Sequence, residues 1–486
     1  MATYPTICAA VFLALASQPP AASPQRLPVV GQPRFQSEQP AATRYVVSGP
    51  SAPSPAIQSS PTARGTQTTT SNATTVPLET LDQAWNLALA ANQRLEATRW
   101  NISSTEQSLQ LARSQRWPTM DLEGSYMVRS AEPAFQFDFG PIPVPSNFAR
   151  YEQKEGGAFR TAVDVPLYTS GRIRYGIDAA EAKVASAGFE FTELVNDLRM
   201  HVAEDYVAVL RAQHDLEVVR STVRSLKAHE HEVEMLFKHS QVPRNDLLAA
   251  QVALSDAQQA AIQAANRLDA SRAAYNRQLG RPLEFPVRIA ELPLESVQGD
   301  VESLTARALQ NRPELAGLTT QAQSLQYQAT SLSARNRPQV SVHGEYAFEQ
   351  NRYRSPDGIA AVGVVASWNL FDGGRNRHER TALQQRAESL VRFKRDLESK
   401  IALQVRRAWL DIHETRRRME VTSQAIARAD ENLRVARTRY AAGAAINTEV
   451  LDAESLRTQT YRNHSNAVYD SALAVLRLKH ATGELK

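Results

Sequence analysis

Two stretches of the chain, from about Arg172 to His239 and from about Arg375 to Ala441, run without a proline and carry apolar residues at helical spacing. In the first, Leu194, Leu198 and Val202 are followed by Val209, Leu216, Val219, Val223 and Leu226. At the α-helical rise, each stretch predicts a helix on the order of 100 Å long. Helices of that length cannot enclose an ordinary globular core and must pack side by side as coiled coils.

The two stretches are also copies of one unit. Ala88-Leu89, Leu95, Pro118, Gly124 and Tyr126 recur 220 positions later as Ala308-Leu309, Leu315, Pro338, Gly344 and Tyr346. From there the spacing drops to 203: Gly171-Arg172, Asp246, Ala250 and Gly280 match Gly374-Arg375, Glu449, Ala453 and Gly483, with Trp409 standing for Tyr206. The difference of 17 positions (220 − 203) falls between Tyr126 and Phe159. A register this long marks a tandem duplication. The organisation read from it is a first repeat over 78–280, an inter-repeat linker over 281–300 and a second repeat over 301–486.

Each copy reads as helix, strand, loop, strand, very long helix, turn, helix. Met120, Leu122, Gly124, Tyr126 and Val128 alternate with Asp121, Glu123, Ser125 and Met127, and Phe159, Thr161, Val163, Val165 and Leu167 likewise share one face, which leaves the other face more polar. In the second copy the matching sets are Val340, Val342, Gly344, Tyr346 and Phe348, then Val362, Val364, Ala366, Trp368 and Leu370. Four such strands form an open sheet with exposed edges and one apolar face. Closing the edges needs further copies, and a closed barrel that is apolar outside is how strands span a membrane. A sheet half-buried against protein would alternate in the same way, but the long helices lead away from this one. The segment from Arg129 to Ala158, containing AEPAFQFDFGPIPVPSNF, reads as an external loop.

The rest of the chain narrows the function classes. A net charge of +4 with 22% charged residues gives no strong polyanion-binding bias. Cys8 is the only cysteine, which excludes intrachain disulfides and multi-thiolate metal sites. The apolar run from Ile7 to Ala16 reads as a secretory signal over 1–16, with a buried helix as the alternative. The Pro-, Ser- and Thr-rich residues 17–77 read as a disordered linker. No later segment reaches about 18 consecutive apolar residues, so insertion into a membrane would have to be by strands.

Several constellations resolve to bland readings. In His229-Glu230-His231-Glu232 the histidines are two residues apart on a helix, so they cannot chelate one ion and read as a solvated face. Arg416-Arg417-Arg418 is interleaved with acidic residues and lacks an aromatic platform, so no nucleic-acid partner is expected. Gly373-Gly374 lacks the spacing of a phosphate loop. No catalytic constellation, metal site or cofactor is expected, and the chain does not read as an enzyme.

Other motifs belong together: the Ala-Leu-x-x-Asn-x-x-Leu opening at Ala88, the helix-to-strand prolines, NLFDGGR at Asn369 and YAAGAAINTEVLDA at Tyr440. With the duplication, they resemble the TolC-like outer-membrane efflux protein family over roughly residues 78 to 486. In copy two the opening departs slightly, since Asn311 stands one position earlier than Asn92 would place it. The resemblance implies a mainly α fold with a membrane β-barrel. Four strands per subunit of a homotrimer complete a twelve-stranded barrel in outer-membrane lipid, and long hairpins form a periplasmic α-helical tunnel. It also implies an exit duct for tripartite efflux or type I secretion, working with an inner-membrane pump and a periplasmic adaptor. The rival reading is a secreted coiled-coil structural or adhesin-like protein without a pore, which would need no duplicated sheet.

The resemblance further places the turns after His239 and Ala442 at the periplasmic tips. It implies that Glu449 and Asp452 line the closed mouth, that Tyr440 holds helix pairs together, and that Asn245 and Asp246 are its first-copy partners. The alternative for the two acids is first-turn stabilisation of a helix, since three-residue spacing puts both on one face. Gly443, Ala444 and the copy-one equivalent of the glycine, Ser240, are the expected adaptor contacts. Where some relatives carry a gate-bracing basic residue this chain has Ala445, leaving Arg244 or another group to supply the charge.

Overall fold

The computed structural model describes residues 78–134, 151–293 and 299–485. The expected signal and linker, and residues 135–150 of the expected external loop, lie outside the described residues. After two short helices, α1 (Leu81–Ala91) and α2 (Gln93–Ser114), come β1 (Thr119–Val128) and β2 (Glu155–Tyr168). The helical hairpin α3 (Arg172–Lys238) and α4 (Arg244–Gln278) completes the first series. The order then repeats: α5 (Val301–Asn311), α6 (Pro313–Ser333), β3 (Gln339–Glu349), β4 (Gly358–Ser367), α7 (Arg375–Ala441) and α8 (Asn447–Ala481). The two long helices have 67 residues each and the two that follow have 35 each.

Backbone geometry repeats as well. The positive-φ residues Ser170, Gly171, Ser240 and Gly280 each have a counterpart 203 positions later in Gly373, Gly374, Gly443 and Gly483. Sharp breaks in the chain therefore stand at the same points in both copies. Local chemistry sets the helix starts. Thr80 and Gln83 form a reciprocal capping box on α1. The Asp372 carboxylate accepts from the backbone N–H groups of Gly374 and Asn376 ahead of α7.

The strands form one antiparallel sheet in the order β1-β2-β3-β4, leaving β1 and β4 as edges. Register puts Leu122, Thr161, Tyr346 and Ala360 in one row and Met120, Val163, Gly344 and Val362 in another. The apolar sets read from the alternation thus share a face. That face is bare: Leu122 is 73% exposed and Val362 83%. The opposite face carries Asp121, Glu123, Arg160, Asp164, His343 and Glu345, with Arg160 paired to Glu345 at 2.6 Å and His343 to Asp164 at 2.9 Å. Two expected details differ. The ladder of β4 stops at Ser367, so Trp368 and Leu370 lie beyond the strand. Leu167 falls where the β2–β3 register shifts, between Pro166 and Tyr168.

The core lies along α3. Its strand-proximal half packs on α2 and α6, where Ser324 Oγ donates to the Ala179 carbonyl (2.7 Å). Its distal half packs on α4 and α8. Midway, Tyr206 and Tyr275 are fully buried, and the Tyr206 hydroxyl donates to the Ala290 carbonyl (2.6 Å). Val287 and Ile289 are buried in the same cluster, so this part of the inter-repeat segment packs into the body. Among the described residues no helix is long and apolar enough to cross a membrane.

Candidate functional site at the helical tips

Both hairpins turn by the same device. At the first, the Ser240 N–H donates to the Phe237 carbonyl (2.8 Å) and the Gln241 N–H to Leu236 (2.9 Å). At the second, Gly443 donates to Tyr440 (2.9 Å) and Ala444 to Arg439 (2.8 Å). This is a helix stop through one left-handed residue, which glycine adopts without strain and serine does not. Ser240 has φ +58° and Gly443 φ +67°. Ser240, Gly443 and Ala444 are all exposed.

Below the turns, Val233, Ala250, Leu433, Ala436, Tyr440, Val450 and Ala453 form a small apolar cluster joining the two hairpins. Polar contacts lock it. The Tyr440 hydroxyl donates to Asp246 Oδ2 (3.3 Å), which brings together the expected pair. Burial first, and then the Asp246 carboxylate, push the Tyr440 hydroxyl up to about 12, so it remains a donor at neutral pH. Asn245, the other expected partner, is exposed and makes no side-chain hydrogen bond among the described residues. Its place is taken by Asn447, which is 3% exposed. Asn447 Nδ2 donates to the Asp246 carbonyl (3.0 Å), so its Oδ1 is the acceptor for His229 Nε2 at 2.7 Å.

His229 corrects the reading of the His-Glu-His-Glu run as a solvated face. Its ring is buried against Tyr440, with centroids 5.5 Å apart, and its Nδ1 has no hydrogen-bond partner. His231 does point outward, beside Glu234. The run is therefore one buried lock residue followed by surface. No group of metal ligands forms among the described residues.

A second lock sits further along the hairpins and was not foreseen. Glu454 is 2% exposed on α8. Its Oε2 accepts from Ser225 Oγ of α3 (2.6 Å) and from Arg437 Nη2 of α7 (3.3 Å). Arg457 approaches the other oxygen at 3.6 Å and donates to Asp430 (2.7 Å), which also accepts from Tyr461 (2.8 Å). A buried carboxylate is tolerable only when paired in this way.

The two candidate gate acids sit on the exposed side of α8. Glu449 pairs with Arg439 at 3.2 Å, and Arg439 Nη2 also donates to the Ala444 carbonyl (3.0 Å). The basic partner of Glu449 within the described residues is therefore Arg439, whereas Arg244 is exposed and pairs with no described residue. Asp452 is exposed and has no partner among the described residues.

A four-stranded sheet with a bare apolar face, carried on helices of about 100 Å with locked tips, defines an outer-membrane channel type of fold. Comparison with known proteins agrees and is more specific. The profile of the outer membrane efflux protein family matches residues 84–281 and 304–484, and the chain belongs to that family. It is 25% identical over 327 residues to the alkaline protease secretion protein AprF of Pseudomonas aeruginosa, covering 64% of this chain and 66% of AprF, just under two thirds of that relative. It is also 25% identical over 325 residues to the outer membrane protein TolC of Vibrio cholerae, covering 64% and 73%. The solved structure of the outer membrane protein VceC of Vibrio cholerae superposes with a TM-score of 0.71 at 17% identity, over 83% of this chain and 96% of that one. The family is one of outer membrane efflux proteins, which places the chain in the outer membrane, and the likeness to VceC shows the fold.

Proposed function

We propose that three copies of this chain form a passive exit duct, gated at its helical tips, that serves a pump and a periplasmic adaptor in efflux or type I secretion. One observation carries the reading. Within a subunit α3 packs along both α6 and α8, but α7 has no equivalent packing along α2 and α4, meeting α4 at the tip through Tyr440 and Asp246. Both surfaces are left apolar and bare: Leu403, Leu410 and Val421 on α7, and Trp100, Leu111, Val252 and Ile262 on α2 and α4. A ring of copies satisfies both, and it joins the free edge of β1 to that of a neighbouring β4. Three subunits then give a barrel of twelve strands with the Arg160, Asp164, His343 and Glu345 face inside.

AprF, named for protease secretion, supports a polypeptide route as much as a small-molecule one. At the tips, Glu449 and Asp452 from each subunit would ring the mouth, a cation-attracting constriction. Ser240, Gly443 and Ala444, exposed and small, suit an adaptor hairpin. The test is to isolate the protein from outer-membrane fractions and record it in planar bilayers. A trimer with cation-selective conductance is expected, and Glu449→Ala with Asp452→Ala should lower both the cation selectivity and block by multivalent cations. A monomer without conductance contradicts the channel, and unchanged selectivity in the double variant returns both acids to helix capping.

A further inference from the structure

The two ends of the sheet differ in charge. At the end away from the helices, Arg129 is paired with Glu152 (2.9 Å), Arg354 with Glu349 (2.9 Å), and Arg352 with Glu132. At the helix end Arg113 and Arg172 are engaged by Glu181 and Gln339, but six other arginines are unpaired among the described residues. Arg116 stands at the foot of β1, Arg335 and Arg337 at the foot of β3, and Arg375, Arg377 and Arg380 in the first two turns of α7, the helix that follows β4. All six are exposed, and none of their guanidinium groups bonds a described side chain. Nearby acids do little to neutralise them. The Asp372 carboxylate is taken up by backbone N–H groups and Glu181 by Arg113 (2.8 Å), leaving Asp178 and Glu379 against six arginines.

Apolar anchors accompany the charge. Trp117, Trp368 and Phe371 are 72%, 60% and 87% exposed at this same end of the sheet, next to the bare band that starts at Met120. Aromatic rings at the limit of an apolar band mark the depth of a lipid headgroup layer. Unpaired arginines at that depth meet phosphates, which the planar guanidinium grips with two parallel hydrogen bonds. Basic clusters flanking a membrane-spanning segment concentrate anionic lipids in this way.

We propose that the helix-side rim of the sheet is a collar that binds the phosphate headgroups of anionic phospholipids in the adjoining leaflet. The inference rests on the sheet forming a membrane barrel. Its charge is supplied at three separate points of the rim, so each subunit presents phosphate contacts along an arc rather than in one pocket. The occupant is a lipid rather than a soluble anion, because the arginines flank aromatic side chains that a free ion would leave bare.

The test uses the full-length protein in nanodiscs of phosphatidylethanolamine and phosphatidylglycerol, with retained lipids read by native mass spectrometry and conductance recorded from the same preparation. Wild type should retain phosphatidylglycerol several-fold above its bulk share. Arg337→Gln, Arg375→Gln and Arg377→Gln combined should abolish the enrichment and leave trimer and conductance intact, while the same three changed to Lys should keep part of it. Added inorganic phosphate should not displace the lipid. Equal retention by wild type and the Gln variant overturns the collar while the channel stands, and so does displacement by free phosphate. Loss of the trimer in the Gln variant would assign these arginines to the subunit contact instead and also overturns it. Failure of wild type to insert or conduct removes both the collar and the barrel beneath it.

Discussion

Helices α3 and α7 have the same length and sit at equivalent places in the two repeats, yet they live in different surroundings. The first is covered by α2, α4, α6 and α8, whereas the second has α5, α6 and α8 along one side and bare apolar residues along the other. Duplication supplied two equivalent helices, and a single chain can finish the packing of only one. The tips show the same inequality. Tyr440 and Asn447 of the second repeat are buried against the first, while their counterparts 203 positions earlier, Phe237 and Arg244, are exposed. Each contact is made once inside the subunit, and the equivalent positions of the first repeat are left exposed.

The largest effect that would break this comparison is at the buried carboxylate. Arg437→Met leaves Glu454 underpaired between three helices and should cost about 3 kcal/mol. Its counterpart change, Glu234→Gln, removes a surface pair with Lys238 and should stay within about 0.5 kcal/mol. Chemical unfolding midpoints of the two variants decide this, and equal shifts would erase the asymmetry.

A pH effect should separate the long helices next. Burial first, and then the charges of Glu314 and Asp197, push the Glu193 carboxyl on α3 up to about 7. The folded protein therefore keeps a proton that the unfolded chain has lost. Stability should fall as pH rises from the ordinary glutamate value of 4.5 to about 7, then level off. Glu193→Gln should flatten that slope and gain about 1 kcal/mol above neutrality, discounted for partial exposure. The counterpart on α7 is Asp396, 58% exposed and paired with Lys400 at 2.6 Å, and Asp396→Asn should change stability by no more than about 0.5 kcal/mol.

Smaller effects are expected at the turns. Tyr440→Phe removes the hydrogen bond to Asp246 and should cost about 1 kcal/mol, seen as a larger open fraction in single-channel records. Phe237→Tyr should restore nothing. Gly443→Ala places a side chain at positive φ and should destabilise by about 1 kcal/mol. Ser240→Gly relieves the same strain and should stabilise by roughly 0.5 kcal/mol, since glycine also loosens the unfolded chain. Matching signs at the two turns would refute their equivalence.

Much of the fold was legible because it is written in periodicity. Unbroken helical spacing anticipated both long helices to within a residue, and the 203-position register picked out Ser240 as the partner of Gly443 before its left-handed geometry was seen. Alternation overran at Trp368 and Leu370, because side-chain period does not report where ladder hydrogen bonds end. His229 was misread for a different reason. Its burial comes from Tyr440 and Asn447, more than two hundred positions away, and nearest-neighbour spacing within the run cannot show that. A clue was present in the series Leu226, His229, Val233, which continues the buried stripe of α3. The Ser225–Glu454–Arg437 lock left no such trace, since each member looks like an ordinary polar residue of a helix surface.

The ring of copies has a direct geometric test. Inside the subunit, Ser324 of α6 touches Ala179 of α3, and the duplication maps these onto Ser104 of α2 and Ala382 of α7, both exposed. In a Cys8→Ser background, Ser104→Cys with Ala382→Cys should close a disulfide between subunits on mild oxidation, giving a covalent trimer in denaturing gels that reverts on reduction. A monomer band that persists under oxidation, from protein correctly inserted in the outer membrane, would contradict the account that three copies complete what one chain leaves bare.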